Sequence, residues 1–153
     1  MNDEIDLHGL TKLEAIDALI KFYNNRVKTG NLTPFYVIHG YGSSGVGGVL
    51  QKKIRGFLLS FEDNLEFDYG NNLYTANNPG ITRIIPKKPL PETIDLLGEE
   101  ILDFCELPKT ISKITGKFHR YDEPKVNLAL KKLEKQKRIK SFYKGSFKVY
   151  QAI

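Results

Sequence analysis

Tryptophan is absent from this sequence, and cysteine and methionine occur once each. A lone cysteine, Cys105, can form no internal disulfide, which fits a reducing compartment. The three histidines, His8, His39 and His119, are scattered and show no ligand spacing with Cys105, so no metal site of the zinc type is expected. Long apolar runs are missing as well. None approaches the ~18 residues a membrane helix needs, so no membrane partner is expected. Residues 1–6 are acidic and lack an apolar core, unlike a signal peptide, and a cytoplasmic location is the expectation. What remains is an ordinary globular composition, 41% hydrophobic and 27% charged over 153 residues. That leaves room for one medium domain or two small ones and excludes a disordered chain or a disulfide-rich miniprotein.

The charge is unevenly distributed. Residues 1–91 hold ten basic and nine acidic side chains, residues 92–106 none and six, and residues 109–153 thirteen and three. The last third, at +10, therefore carries the field that could attract a polyanion. Between the halves lie Pro86, Pro89 and Pro91, which disfavour both helix and central strand. The expected organisation is a first domain over residues 1–86, a Pro-rich linker over 87–91 and a second domain over 92–153.

In the first half the pattern alternates between strand and helix. Ile5 and Leu7 alternate with Asp6 and His8, a short strand ended by Gly9. Thr11 and Glu14 form a capping box, after which Leu13, Ile16, Ile20, Tyr23 and Val27 recur at helical spacing up to Gly30. Phe35, Tyr36, Val37 and Ile38 form a continuous apolar run, which suits a strand buried on both faces. Leu50, Ile54, Phe57, Leu58 and Phe61 mark a second helix, and residues 65–69 and 81–84 read as strands. The order β-α-β-α-β-β predicts a small two-layer α/β (α+β) domain on a mixed sheet.

A right-handed crossover makes the first two strands parallel. Each ends in the same dipeptide, His8-Gly9 and His39-Gly40, so both histidines are expected at the C-terminal sheet edge, where open α/β sheets bind ligands. Asp6 lies on the same strand face as His8. The bland alternative is that Gly9 and Gly40 only permit sharp turns while the histidines cap backbone groups. His119, in a basic loop, reads as solvated.

Gly40, Gly42, Gly45, Gly47 and Gly48 fall between a strand and a helix. Backbone amides of such a loop, with the helix dipole behind them, suit a phosphate. The pattern also matches G-x-G-x-x-G, but it follows the second strand in a domain of about 90 residues, too few for a dinucleotide fold. No Gly-Lys-Ser/Thr follows, so it is not a P-loop. The guest expected is a backbone phosphate of a larger substrate.

Taken together, Ile5-Asp6-Leu7-His8-Gly9, Glu14-Ala15, Val37-Ile38-His39-Gly40-Tyr41-Gly42 and Gly48-Val49-Leu50 resemble the small MutS-related (Smr) domain over about residues 4–86. The resemblance implies the same β-α-β-α-β-β fold, nucleic-acid binding and, in many members, endonuclease activity on DNA or on mRNA at stalled ribosomes. It places an acidic-x-His motif on Asp6 and His8 and a second motif on His39, Gly40 and Gly42. Tyr41 stands where the family often has Lys and Gln51 where Arg is common, and most glycines are gone from residues 77–82. Lys52 and Arg55, three apart on the helix, could compensate.

The second half begins with an acidic helix marked by Ile94, Leu97, Ile101 and Phe104. Pro108 suits the first turn of a short helix ending at Gly116. Asp122 and Pro124 start a third helix, with Val126, Ala129, Leu130 and Leu133 on one face and Lys125, Lys131, Lys132 and Lys135 on the other. Residues 139–143 and 147–150 read as a hairpin carrying Lys140, Lys144 and Lys148. Three helices and a hairpin resemble a winged helix, whose third helix would enter a major groove. The alternatives are a solvated basic face or a winged helix that docks a protein.

The leading expectation is a structure-selective endonuclease. His8, oriented by Asp6, would move the proton, since an imidazole near pKa 6.5 suits transfer at neutral pH. His39 and the glycine loop would hold the scissile phosphate. With RNA, the 2′-hydroxyl attacks and no metal is needed; with DNA, water attacks and a loosely held Mg²⁺ or Mn²⁺ would help. The partners expected are branched or double-stranded DNA, or structured RNA and mRNA, with the ribosome as a further one. The rivals are a non-catalytic nucleic-acid or ribosome-associated adaptor and a small-molecule phosphate enzyme.

Overall fold

The computed structural model describes residues 3–40, 47–68 and 80–153. The chain divides into two units, Met1–Pro91 and Glu92–Ile153.

In the first unit, β1 (Glu4–Asp6) leads into α1 (Lys12–Lys28), β2 (Phe35–Ile38), α2 (Gly47–Leu59), β3 (Leu65–Asp68) and β4 (Ile81–Pro86). The sheet order is β1-β2-β4-β3, with β1 and β2 parallel and β4 antiparallel to both of its neighbours. The expected element order and mixed sheet are both present. Both crossovers step the same way along the sheet, so right-handed connections put α1 and α2 on one face. Beneath them lie Leu7, Phe35, Val37, Leu65 and Ile84, all buried.

The capping box is formed. Thr11 accepts from the Glu14 backbone N–H at 3.2 Å and donates its own N–H to Glu14 Oε1 at 3.1 Å. Thr11→Ala is expected to lower stability by about 1 kcal/mol, read as the urea midpoint at unchanged slope.

Four sequence expectations are revised in this unit. β2 is buried on one face only: Phe35 and Val37 are enclosed, whereas Tyr36 and Ile38 are half-exposed. A continuous apolar run cannot distinguish two covered faces from one. The buried stripe of α1 includes Arg26, which the apolar pattern passes over. Its guanidinium lies 5.1 Å from the Phe35 ring centroid and donates to the Thr33 carbonyl at 3.0 Å. Phe61 lies beyond the end of α2. The Pro-rich segment is no loose tether: Leu90 is buried and exchanges hydrogen bonds with Asn24, and the Tyr23 hydroxyl lies 2.7 Å from the Lys88 carbonyl. Pro86, expected to disfavour a central strand, is the last residue of β4 opposite Leu65, and the two prolines after it prevent regular structure but not packing.

The second unit runs α3 (Thr93–Phe104), β5 (Lys109–Thr110), α4 (Ile111–Lys117), α5 (Glu123–Lys135), β6 (Ile139–Lys144) and β7 (Phe147–Ala152). Its sheet order is β5-β7-β6, antiparallel throughout. Leu97, Ile101, Ile114, Val126, Ala129, Leu130 and Val149 form its core. Pro108 does not open the short helix. It precedes β5, and α4 starts only after Thr110, whose side chain accepts from the Lys113 N–H. Asp122 caps α5 by accepting from the Lys125 N–H at 2.9 Å, with Pro124 in the first turn. Cys105 is buried, and burial pushes its thiol up to about 11.

Candidate functional site

Asp6 ends β1 and His8 follows two residues later. Leu7 between them is buried, so strand alternation turns Asp6 and His8 together to the opposite, open side. His8 Nδ1 lies 2.5 Å from Asp6 Oδ1, and the His8 backbone N–H donates to the same oxygen at 3.1 Å. The imidazole stays 71% exposed and the carboxylate 50%. Burial nudges the Asp6 carboxyl upward, but the His8 ring, the His8 N–H and their charge attraction outweigh it and hold the carboxyl below its ordinary value. With Nδ1–H donating to a carboxylate, the lone pair falls on Nε2, which faces solvent.

His39 is placed differently from the expectation. The register sets Asp6 level with Ile38, so His39 is level with Leu7, not with His8. A one-residue offset reverses the face. His39 therefore points under the helices and is fully buried. Its Nδ1 lies 2.8 Å from the Gly40 carbonyl and its Nε2 2.8 Å from Thr82 Oγ1. Arg55 of α2 donates through Nε to the same Thr82 oxygen at 3.1 Å. Both ring nitrogens are thus occupied, and His39 fastens the ends of β2 and β4 rather than projecting from the edge.

Burial, reinforced by the Arg55 charge and only partly offset by the Gly40 carbonyl, lowers the His39 pKa below its ordinary 6.5. On acidification the unfolded chain takes this proton first, so the stability His39 contributes is present above about pH 6.5 and is lost towards its lower folded value. The melting temperature is expected to fall between about pH 7.5 and about pH 5.5, and His39→Gln should flatten that fall. An equal fall in both proteins would show that other groups set it.

Gly40 follows with a positive φ of 77°, in the left-handed region that favours glycine, and its N–H donates to the Gly80 carbonyl at 3.1 Å. Gly42, Tyr41 and the rest of residues 41–46 lie outside the described residues, as do Tyr69 and Asn77. Lys52 is exposed on α2, whereas Arg55 turns inward to β4, so the two do not form one outward pair. Thr82 was passed over because it sits in an apolar-looking strand. The signal was a polar side chain at an inward position between Ile81 and Ile84. Among the described residues, no three His, Cys, Asp or Glu side chains converge as a metal cage would.

The family model for the Smr domain matches residues 5–74. That match spans a little under half of the chain, and over it the first unit is similar to Smr domains. Smr domains are associated with nucleic-acid binding and nuclease activity. A solved structure, the SMR domain of NEDD4-binding protein 2 in solution, is similar at 23% identity and a TM-score of 0.43, covering 61% of this chain and 93% of that one. No curated protein matches the chain. Within the matched segment the acidic-x-His motif is the exposed pair Asp6 and His8, and the second His-Gly motif is the buried His39 with Gly40.

The basic residues of the second unit fall into two sets. Lys125, Lys131 and Lys135 on α5 and Lys140, Lys144 and Lys148 on the hairpin are exposed. Lys132 is not part of that face. Its Nζ lies 2.5 Å from Asp95 on α3, and Arg138 pairs with Glu99 at 2.7 Å and Arg120 with Glu100. Three of the four acidic side chains of α3, Asp95, Glu99 and Glu100, are thereby paired within their own unit. His119 is exposed beside the Gly116 carbonyl, as expected of a solvated histidine.

Proposed function

We propose that this chain is a structure-selective nucleic-acid endonuclease, with the Smr domain as the cutting module and the second unit as a winged-helix binding module. The observation that carries the reading is the exposed Asp6–His8 contact at the C-terminal end of a strand in the Smr-like segment. The winged-helix assignment is supported by three helices followed by a hairpin, with β5 as the third strand. On this reading α5 enters a major groove and the hairpin lies along the backbone.

With RNA, Nε2 of His8 takes the proton of a 2′-hydroxyl whose oxygen attacks the neighbouring phosphorus. The bond to the 5′ oxygen breaks, that oxygen receives a proton, and a 2′,3′-cyclic phosphate remains. Asp6 keeps the ring in the tautomer with Nδ1 protonated and steadies its cationic form. His39 is a positioning residue that fixes Gly40, Thr82 and Arg55. Asp6 and His8 offer two donors, fewer than a dedicated metal site needs. The partners on this reading are branched or double-stranded DNA or structured RNA.

The test is incubation with supercoiled plasmid and, in parallel, labelled structured RNA, each with Mg²⁺ or EDTA. RNA cleavage in EDTA with a cyclic-phosphate end is expected. Strict EDTA sensitivity on RNA would overturn the metal-independent role of His8. The enclosure of His39 favours one rival, a non-catalytic adaptor, because it leaves a single titratable pair outside. That rival predicts binding with no strand breaks on either substrate.

A further inference from the structure

The β6–β7 hairpin carries two aromatic rings that its own unit leaves uncovered: Tyr143 is 73% exposed and Phe147 66%. The hairpin is rooted by Ile139, Val149 and Tyr150, all buried, so the two tip rings are not what holds the unit together. Residues directly opposite in an antiparallel ladder share a face, and successive residues alternate. The register sets Lys144 opposite Phe147 and Lys148 opposite Tyr143. Phe147 and Tyr143 therefore stand on opposite faces of the ribbon, each beside one lysine. Gly145, at a φ of +65°, lets the turn close in two residues, so the tip is narrow. Residues 139–153 include no Asp or Glu.

At its tip the ribbon has one ring and one cation on each face, and the face of Phe147 also carries Phe142 between Lys140 and Lys144, so neither side offers the continuous apolar face that a lipid surface needs. It does suit two strands that part around it. An aromatic ring stacks on any unpaired base, and a flanking lysine then lies where the phosphate of that nucleotide runs. We infer that the hairpin tip is a wedge for the junction between duplex and single strands, one unpaired base stacking on Tyr143 and one on Phe147. Lys148 and Lys144 pair with the phosphates of the two diverging strands. This deepens the nucleic-acid reading of the second unit by naming its substrate class, forked or flapped nucleic acid, and rests on that reading.

The test compares the full chain with Tyr143→Ala, Phe147→Ala and the double variant. Anisotropy is measured on a labelled forked duplex and on a blunt duplex of equal length, with 2-aminopurine at the first unpaired position of the fork. Each alanine is expected to lower fork affinity by about 10-fold and to weaken the 2-aminopurine quench, leaving blunt-duplex affinity unchanged. Tyr143→Phe should keep the wild-type values. Because both rings are exposed, an unchanged melting temperature shows that the variants are folded. Equal affinity of wild type for fork and blunt duplex, or a double variant that quenches like wild type, would overturn the wedge while leaving duplex binding intact. Binding to phosphatidylserine vesicles that the double variant loses, without fork preference in wild type, would overturn it in favour of a membrane contact. Failure of wild type to bind either nucleic acid would overturn the underlying reading as well.

Discussion

His8→Ala is expected to lower strand cleavage by about 10²–10⁴-fold, the usual contribution of a positioned acid or base, with nucleic-acid affinity essentially unchanged. The separation of the two effects follows from the geometry. The imidazole is exposed and, among the described residues, is hydrogen-bonded to Asp6, so its removal takes away a proton acceptor without opening a core or removing a lysine. Asp6→Asn should give a smaller loss. It keeps an oxygen beside Nδ1 but removes the charge that steadies the imidazolium. Because Asp6 is held below its ordinary pKa, it remains ionised at neutral pH. Burst amplitude and single-turnover rate, measured beside a filter-binding titration, check this. A His8→Ala protein that cuts at the wild-type rate would remove His8 from the chemistry and leave the adaptor.

The second large effect is on binding, and salt is its lever. Six exposed lysines, Lys125, Lys131, Lys135, Lys140, Lys144 and Lys148, face solvent in the second unit, Lys125 with its Nζ 3.9 Å from Asp122 in a loose surface contact that a phosphate can replace. If all six neutralise a phosphate on duplex DNA, the affinity should fall by about 10³-fold between about 50 and about 200 mM monovalent salt. Replacing any one of the six by alanine should lower the slope of log affinity against log salt by about one. Lys132→Ala should not. Its ammonium is held by Asp95, so that substitution should leave the slope alone and instead release a carboxylate on α3. A slope near zero would mean that the basic surface meets something other than a polyanion.

Much of this fold was legible in the sequence where local chemistry and long-range packing agree. The Thr11–Glu14 box starts α1 and Asp122 caps α5, both by bonds within three residues. β5 was not legible. A two-residue strand exists only through its partner, and nothing in Lys109-Thr110 announces that Tyr150 and Val149 will lie beside it. The same limit governs charge. Lys131 and Lys132 are neighbours in a basic run, and only the position of α3 commits one of them to Asp95. Arg26 counts as a solvated cation by composition, yet its flat guanidinium packs beside the rings of Phe22 and Phe35. At the site, Asp6 with His8 could be read because the pair is local. Thr82 and Arg55 could not, because the register that brings them to His39 is a property of the sheet.

The two His-Gly steps look like one word written twice, yet the sheet reads them in different phases. Because a strand counts in twos, gaining or losing one residue before either histidine would exchange an outer position for an inner one, whereas gaining two would preserve it. The tolerances at the two positions should differ accordingly. The inner site asks for a shape that fills its space and meets two partners, and a neutral amide can approach that. On the proposed reading the outer site asks instead for a group that passes a proton, which a neutral amide does not do.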